Sequence, residues 1–213
     1  MKLAIWNARK ARAWFSCRRE RGDLSLTFLM LFFLVLGFLA FAVDASQFLT
    51  KKTLLENTLN LAREERMAPS VTLVAKNSQE PDAVIARSVA GTLRDANYQG
   101  DIDVYFYEVP EAQLPPSKRD TERVYAYQVV LTEQVKTVFA SIFGVYDIPL
   151  KSTVVAVSNP YSEYKVWRPA FSRSTKWHLA ANAPPASLGF QTVSLASMPE
   201  ELRDAISSQS ANP

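Results

Sequence analysis

The sequence predicts an α+β protein: a long N-terminal helix, transmembrane and then amphipathic, packed on a small, mainly antiparallel sheet. Three observations carry this. A 20-residue apolar run, Leu24–Val43, holds no charged side chain and no Asn, Gln, His or Pro. The residues after it keep helical spacing without Gly or Pro as far as Arg66. Beyond Pro69 the chain breaks into short segments of alternating or β-branched character bounded by Pro, Gly and Asn.

The apolar run reads as a membrane span. A hydrocarbon core about 30 Å thick takes roughly 20 helical residues at about 1.5 Å each. Backbone groups inside lipid must bond internally, which requires a helix. A buried helix of a soluble protein would normally keep a polar stripe, whereas here Ser25 and Thr27 are the only polar side chains. Asp23 and Asp44 flank the run, and Arg21 and Asp44 mark the expected membrane boundaries. Ala40-Phe41-Ala42 matches the small-x-small pattern of a signal-peptidase site, so a secreted protein cleaved after Ala42 is the main rival. The run is longer than the roughly 7–15 apolar residues of a signal peptide, which favours retention as an anchor.

Charge sets the orientation. Residues 1–22 hold seven Lys/Arg against one Glu, net +6, and the rest of the chain holds 17 Lys/Arg against 20 Asp/Glu, net −3. A basic excess close to one end of a span places that end in the cytoplasm, where juxtamembrane cations can also meet anionic headgroups. The sequence pI near 9.0 thus describes the tail, and a nucleic-acid partner is not expected. The expected organisation is a basic cytoplasmic tail at 1–22, a transmembrane helix at 23–43, its amphipathic extension at 44–68, an extracytoplasmic α+β domain at 69–160 and an irregular C-terminal segment at 161–213.

In the extension, Phe48, Leu55, Leu59 and Ala62 share one helical face, and Met67-Ala68-Pro69 ends the run. The helix from the span to Arg66 would be about 65 Å long. Val71–Ala75 reads as a short strand and Asp82–Ala96 as a helix, with Asn97 near its end. Ile102–Val109 alternates, with Ile102, Val104 and Phe106 on one face and Tyr105 and Tyr107 on the other. Pro110–Thr121 is a polar loop, and Arg123–Thr132 is a strand by its β-branched and aromatic content. Val135–Phe143 is expected as a short helix closed by Gly144, and Leu150–Ser158 as a strand antiparallel to the one before it. Pro199–Ser207 could form a helix with Glu200 and Glu201 at its positive end. Tyr105, Tyr107, Tyr125 and Tyr127 could share one sheet face, with packing under a helix favoured over an exposed binding patch.

Catalytic chemistry finds little support. His178 is the only histidine, and Trp177 beside it suggests surface or partner contact rather than a ligand. The only cysteine, Cys17, lies in the tail, which removes disulfides and Cys-based zinc sites from the outer domain. There is no phosphate-binding loop, no nucleophile elbow and no dinucleotide fingerprint. A non-enzymatic role without cofactor, metal or small-molecule ligand is expected.

The N-terminal region carries a resemblance. Arg18-Arg19-Glu20-Arg21-Gly22-Asp23, the apolar run, Ala42-Val43-Asp44 and the helical QFLTKKTLLENTLNLARE together resemble the TadE/TadG-like proteins of Tad (tight adherence, Flp-type) pilus assembly. The later run VYAYQVVLTEQVKTVFASIFGVYDIPLKSTVVAVSNP is similar in layout, so the resemblance covers about residues 18–160. It implies a minor pseudopilin or biogenesis factor in the bacterial inner membrane, single-pass, with its domain in the periplasm. The implied partners are other pilus-assembly proteins or pseudopilins and the lipid bilayer. Some relatives are cut by a prepilin peptidase after a Gly; Gly22 is the matching position and Asp23 would become the new N-terminus. Such relatives carry a Glu five residues into the mature chain, where this sequence has Thr27. A signal-anchored subunit of another envelope secretion complex is the alternative function.

Overall fold

The computed structural model describes residues 2–66, 69–114, 116, 123–158 and 173–210. Its elements are α1 (Lys2–Arg66), α2 (Pro69–Asn77), α3 (Pro81–Asp95), β1 (Asp101–Glu108), β2 (Tyr125–Lys136), β3 (Asp147–Val157), β4 (Arg173–Leu179), β5 (Gly189–Thr192) and α4 (Glu200–Ser210). The mixed α+β class with a long N-terminal helix and an antiparallel sheet is the one expected. The chain divides into two compact units, Met1–Phe48 with Thr137–Tyr146, and Leu49–Lys136 with Asp147–Pro213.

Helix α1 is longer than predicted, reaching back through the basic tail to Lys2. That tail has no Gly or Pro before Gly22, and Ala, Arg, Lys and Leu are good helix formers. In the second unit α1 buries Leu55 and Leu59, each contributing about 1.5–3 kcal/mol. Lys51 Nζ lies 3.1 Å from Glu133 Oε1 on β2.

The second unit is built on a five-stranded sheet of order β3-β2-β1-β4-β5, antiparallel throughout. Helix α3 lies against β1 and β4, and α4 against β2 and β3. The alternation of β1 decides which side chains meet each helix. Ile102, Val104 and Phe106 are fully buried, as are Ala86, Val89, Ala90 and Leu93 of α3. On the opposite face Tyr107 and Ala126 pack with Leu202 and Met198. There Glu201 Oε2 accepts hydrogen bonds from Gln128 Nε2 at 2.8 Å and Thr153 Oγ1 at 3.2 Å.

Several expectations are corrected. Val71–Ala75 lies in α2, not in a strand. Pro69 supplies the preset φ favoured at a first helical position, Ala75 is buried, and packing overrides the β propensity of Val71 and Val74. The helix expected at Val135–Phe143 is instead the end of β2 followed by a 3-10 turn, Ala140–Phe143. Val135 pairs with Ile148 and is buried, so strand pairing claims it. Gly144 closes the turn at φ 83°, a left-handed conformation that side chains with a Cβ rarely adopt. The four tyrosines do not share a face. Phe106 pairs with Tyr127 and Tyr107 with Ala126, so Tyr125 and Tyr127 stand on the α3 side and Tyr105 and Tyr107 on the α4 side. They pack rather than form a patch: Tyr107, Tyr125 and Tyr127 are buried, and Tyr125 stacks on Phe106 at 5.4 Å. Residues 161–213 are not an irregular appendage either. Their described part supplies β4, β5 and α4, and β4 pairs with β1 in the interior of the sheet. Neither β4 nor β5 shows sustained apolar alternation, which hid them in the sequence.

Arginines order the backbone on either side of α3, Arg123 at the turn that precedes it and Arg94 at its end. Ahead of it, the fully buried Arg123 binds Glu108 in two parallel bonds, Nε to Oε1 at 2.5 Å and Nη2 to Oε2 at 2.9 Å. Its Nη1 donates to the carbonyls of Lys76 and Ser78 at 2.8 and 2.7 Å. Burial holds the Glu108 carboxyl above its ordinary value, only partly offset by Arg123. At the other end, Asn97 at φ 62° terminates α3, with Tyr98 N–H bonding to Leu93 C=O at 2.9 Å. Arg94 binds the carbonyls of Tyr98, Gly100, Ala180 and Ala183. Gly100 is required sterically, because a Cβ there would collide with Tyr98 Oη and Thr132 O.

Arg123→Met leaves a carboxylate buried without its cation and should destabilise the protein by about 3–5 kcal/mol, read from denaturant unfolding of the detergent-solubilised protein. Gly100→Ala displaces the Tyr98 hydroxyl from Thr132 C=O and should cost about 1–3 kcal/mol in the same assay.

Candidate functional site

The first unit joins the apolar half of α1 to the loop between β2 and β3. By length and composition α1 is the one helix among the described residues that could cross a membrane. Residues 25–39 are all exposed, Phe28 at 73 %, and Phe41 beyond them is exposed to the same extent. Such a surface is stable only if something apolar covers it.

Asp44 follows this run directly and does more than end it. Its carboxylate receives three successive backbone N–H groups of the β2–β3 loop. Val138 N–H donates to Oδ1 at 2.9 Å, Ala140 N–H to Oδ2 at 2.7 Å, and Phe139 N–H is shared between the two at 3.2 and 3.1 Å. These amides sit at or just before the start of the 3-10 turn Ala140–Phe143, where the turn itself offers no acceptor. A carboxylate there satisfies them and meets the positive end of the turn. The rest of the loop closes on itself: Thr137 N–H bonds to Tyr146 C=O at 2.9 Å, Ile142 N–H to Phe139 C=O at 3.1 Å, Gly144 N–H to Ser141 C=O at 3.0 Å and Val145 N–H to Ala140 C=O at 3.1 Å. The Thr137 hydroxyl donates to the carbonyls of Val145 and Tyr146. The loop is therefore an ordered tip, and it presents Ile142, Phe143 and Tyr146 at 77 %, 87 % and 66 % exposure.

In the second unit a cleft of about 490 Å³ is lined by Glu80, Asp82, Arg173, Ser174, Thr175, Trp177, Phe190 and Thr192. Two of its charged groups, Asp82 and Arg173, are paired with one another. Asp82, fully buried in the first turn of α3, accepts from Arg173 Nη1 at 2.9 Å and Trp177 Nε1 at 3.2 Å. Both carboxylate oxygens thus serve to tie α3 to β4. Trp177 packs on Phe190 with ring centres 5.0 Å apart. On the other face of β4, His178 Nδ1 lies 2.7 Å from Asp103 Oδ1, and Lys176 Nζ 3.1 Å from Oδ2 of the same carboxylate. Lys176 also stands over the Tyr105 ring at 5.1 Å. Hydrogen bonding and attraction to Asp103 raise the Lys176 pKa against the opposing effect of burial, which is the largest single influence. This is a cross-strand charge cluster at the surface. Among the described residues no group of three His, Cys, Asp or Glu side chains converges to hold a metal.

Gly22, Asp23 and Thr27 lie within the uninterrupted helix α1, as does Arg21. The tip that Asp44 holds was not anticipated as part of a site. Its signal was present, because TVFASIFGVY, Thr137–Tyr146, holds ten residues without a charge between Lys136 and Asp147. Helical spacing within it led to a helix assignment instead. No family model, no curated protein and no solved structure matches this chain.

Asp44→Ala strips three amides of their acceptor. Hydrogen exchange at Val138, Phe139 and Ala140 should accelerate by roughly 10-fold or more, in line with a loss of about 1–3 kcal/mol, while the amides of β1 keep their protection.

Proposed function

We propose that the protein is a non-enzymatic, single-pass component of the bacterial inner membrane that serves Tad-type pilus assembly as a minor pseudopilin or biogenesis factor. The observation that carries this reading is the uncharged run Leu24–Val43 within a helix that continues to Arg66. That helix has a +6 flank on one side and a folded sheet unit following on the other. Pilin-like proteins share this plan of a long helix, half in lipid or fibre core, carrying a globular head. The basic flank favours a cytoplasmic N-terminus, which puts the sheet unit outside. The helix contacts other pseudopilins or the assembly platform, and the head meets partners in the envelope.

Thr27 bears on the mode of action. A Glu at that position could pair with a neighbour's terminal ammonium inside a fibre, where an unpaired charge is costly. With Thr there, a role at the membrane is favoured over that of a major fibre subunit.

Deletion should abolish or strongly reduce surface pili in a strain that makes them, and the tagged protein should co-purify with pilus-assembly components after detergent extraction. Normal piliation in the deletion strain overturns the assignment. N-terminal sequencing of the extracted protein separates the variants of the reading: a start at Asp23 establishes prepilin-type processing at Gly22, and a retained Met1 or Lys2 establishes an uncut anchor. A start at Val43 makes it a secreted protein and removes the anchor.

A further inference from the structure

We infer that the tip Thr137–Tyr146 is a second membrane contact, bedding its aliphatic and aromatic side chains into the headgroup–acyl boundary of the bilayer beside the exit of α1. The inference rests on the membrane-anchor reading and extends it. Four observations carry it.

The tip is chemically continuous with the span. Its ten residues carry no charge, and Ile142 and Phe143 are as exposed as the span's own Phe28 and Phe41. Exposed apolar surface of this kind on an ordered loop marks a contact site.

Its depth is set by Asp44. The residue that closes the apolar run is the one whose carboxylate binds Val138, Phe139 and Ala140. If Leu24–Val43 crosses the hydrocarbon, Asp44 stands at the boundary, and the amides it holds stand there with it. This continuity selects lipid over a second copy or another protein as the occupant.

Its backbone suits a region poor in water. The N–H groups of Thr137, Val138, Phe139, Ala140, Ile142, Gly144 and Val145 all have acceptors within the unit. Irregular backbone does not occur exposed to lipid in the hydrocarbon core itself, so the contact is interfacial, about 5–10 Å into the headgroup–acyl boundary.

Its side chains suit that depth. Tyr146 pairs an aromatic ring with a hydroxyl, the character enriched at membrane interfaces. Lys136 and Asp147 bracket the tip and place charge where the uncharged run ends.

The test uses the full chain in phosphatidylcholine–phosphatidylglycerol vesicles that contain no other protein. On a Cys17→Ser background, a single Ile142→Cys carries an environment-sensitive fluorophore, and Lys151→Cys on β3 serves as the control. Lipids with a doxyl group near the headgroup end should quench the label at 142 and shift its emission to the blue. Iodide on both sides of the membrane should fail to reach it, and the label at 151 should show the reverse. Adding Asp44→Ala should weaken the doxyl quenching at 142 while the protein stays in the vesicles. A label at 142 that iodide quenches as well as the one at 151, in protein that resists alkaline carbonate extraction, overturns the tip contact and leaves the anchor standing. Shielding from iodide without doxyl quenching also overturns it, assigning the tip to a second copy. Extraction of the protein by carbonate overturns the anchor reading and this inference with it.

Discussion

Backbone groups at the ends of helices and turns must find partners, and this fold meets that constraint with charged side chains sent from distant segments. Asp44 collects three N–H groups of the β2–β3 tip. Arg123 gathers two carbonyls at the close of α2 while holding Glu108. Arg94 takes four carbonyls around the end of α3 and the β4–β5 connection. Asp101 completes the set by accepting Ala181 N–H at 2.7 Å. Each bond is worth more than a neutral one because one partner is ionised. Most of them also join segments far apart in sequence, so the loops are ordered by the same groups that satisfy them.

The sheet follows from these fixed points. With the turn before α3 and the end of α3 both held, its small and apolar face of Ala83, Ala86, Val89, Ala90 and Leu93 lies against the even-numbered side of β1. Asp82 reaches β4 from the same helix, joining it to Arg173 and Trp177. The second face is closed by α4 through Leu202 and Met198. The buried carboxylates Asp82 and Glu108 are each paired with an arginine, Arg173 and Arg123, and so tie segments of the unit together.

Much of this was legible in the sequence where a strong periodicity or a breaker acts locally. The uncharged helical run shows in Leu24–Val43 because the absence of charge over 20 residues needs no context. α3 shows in its spacing, with Pro81 ahead of it and Asn97 behind. β1, β2 and β3 show in their alternation and their β-branched and aromatic content, and the antiparallel pairing of β2 with β3 follows from the short connection between them. The site was legible only in half. Asp44 stood out as a boundary, but nothing local says what its carboxylate would bind. Thr137–Tyr146 carried both helical spacing and a glycine, and the pairing of Val135 with Ile148 decided against the helix.

By itself the sequence determined the α+β class, the long helix with its uncharged run and basic flank, and the faces of β1, because helical and strand periods are properties of neighbouring residues. Tertiary structure decided what depends on residues far apart. It put Val71–Ala75 in a helix, set Tyr105 and Tyr107 on the opposite face from Tyr125 and Tyr127 by register, and drew β4 from an unpromising C-terminal stretch into the sheet beside β1. It also brought Asp44 to amides 94 to 96 residues away. Hydrogen bonds of that span depend on how the chain returns on itself, and local composition carries no record of the partner.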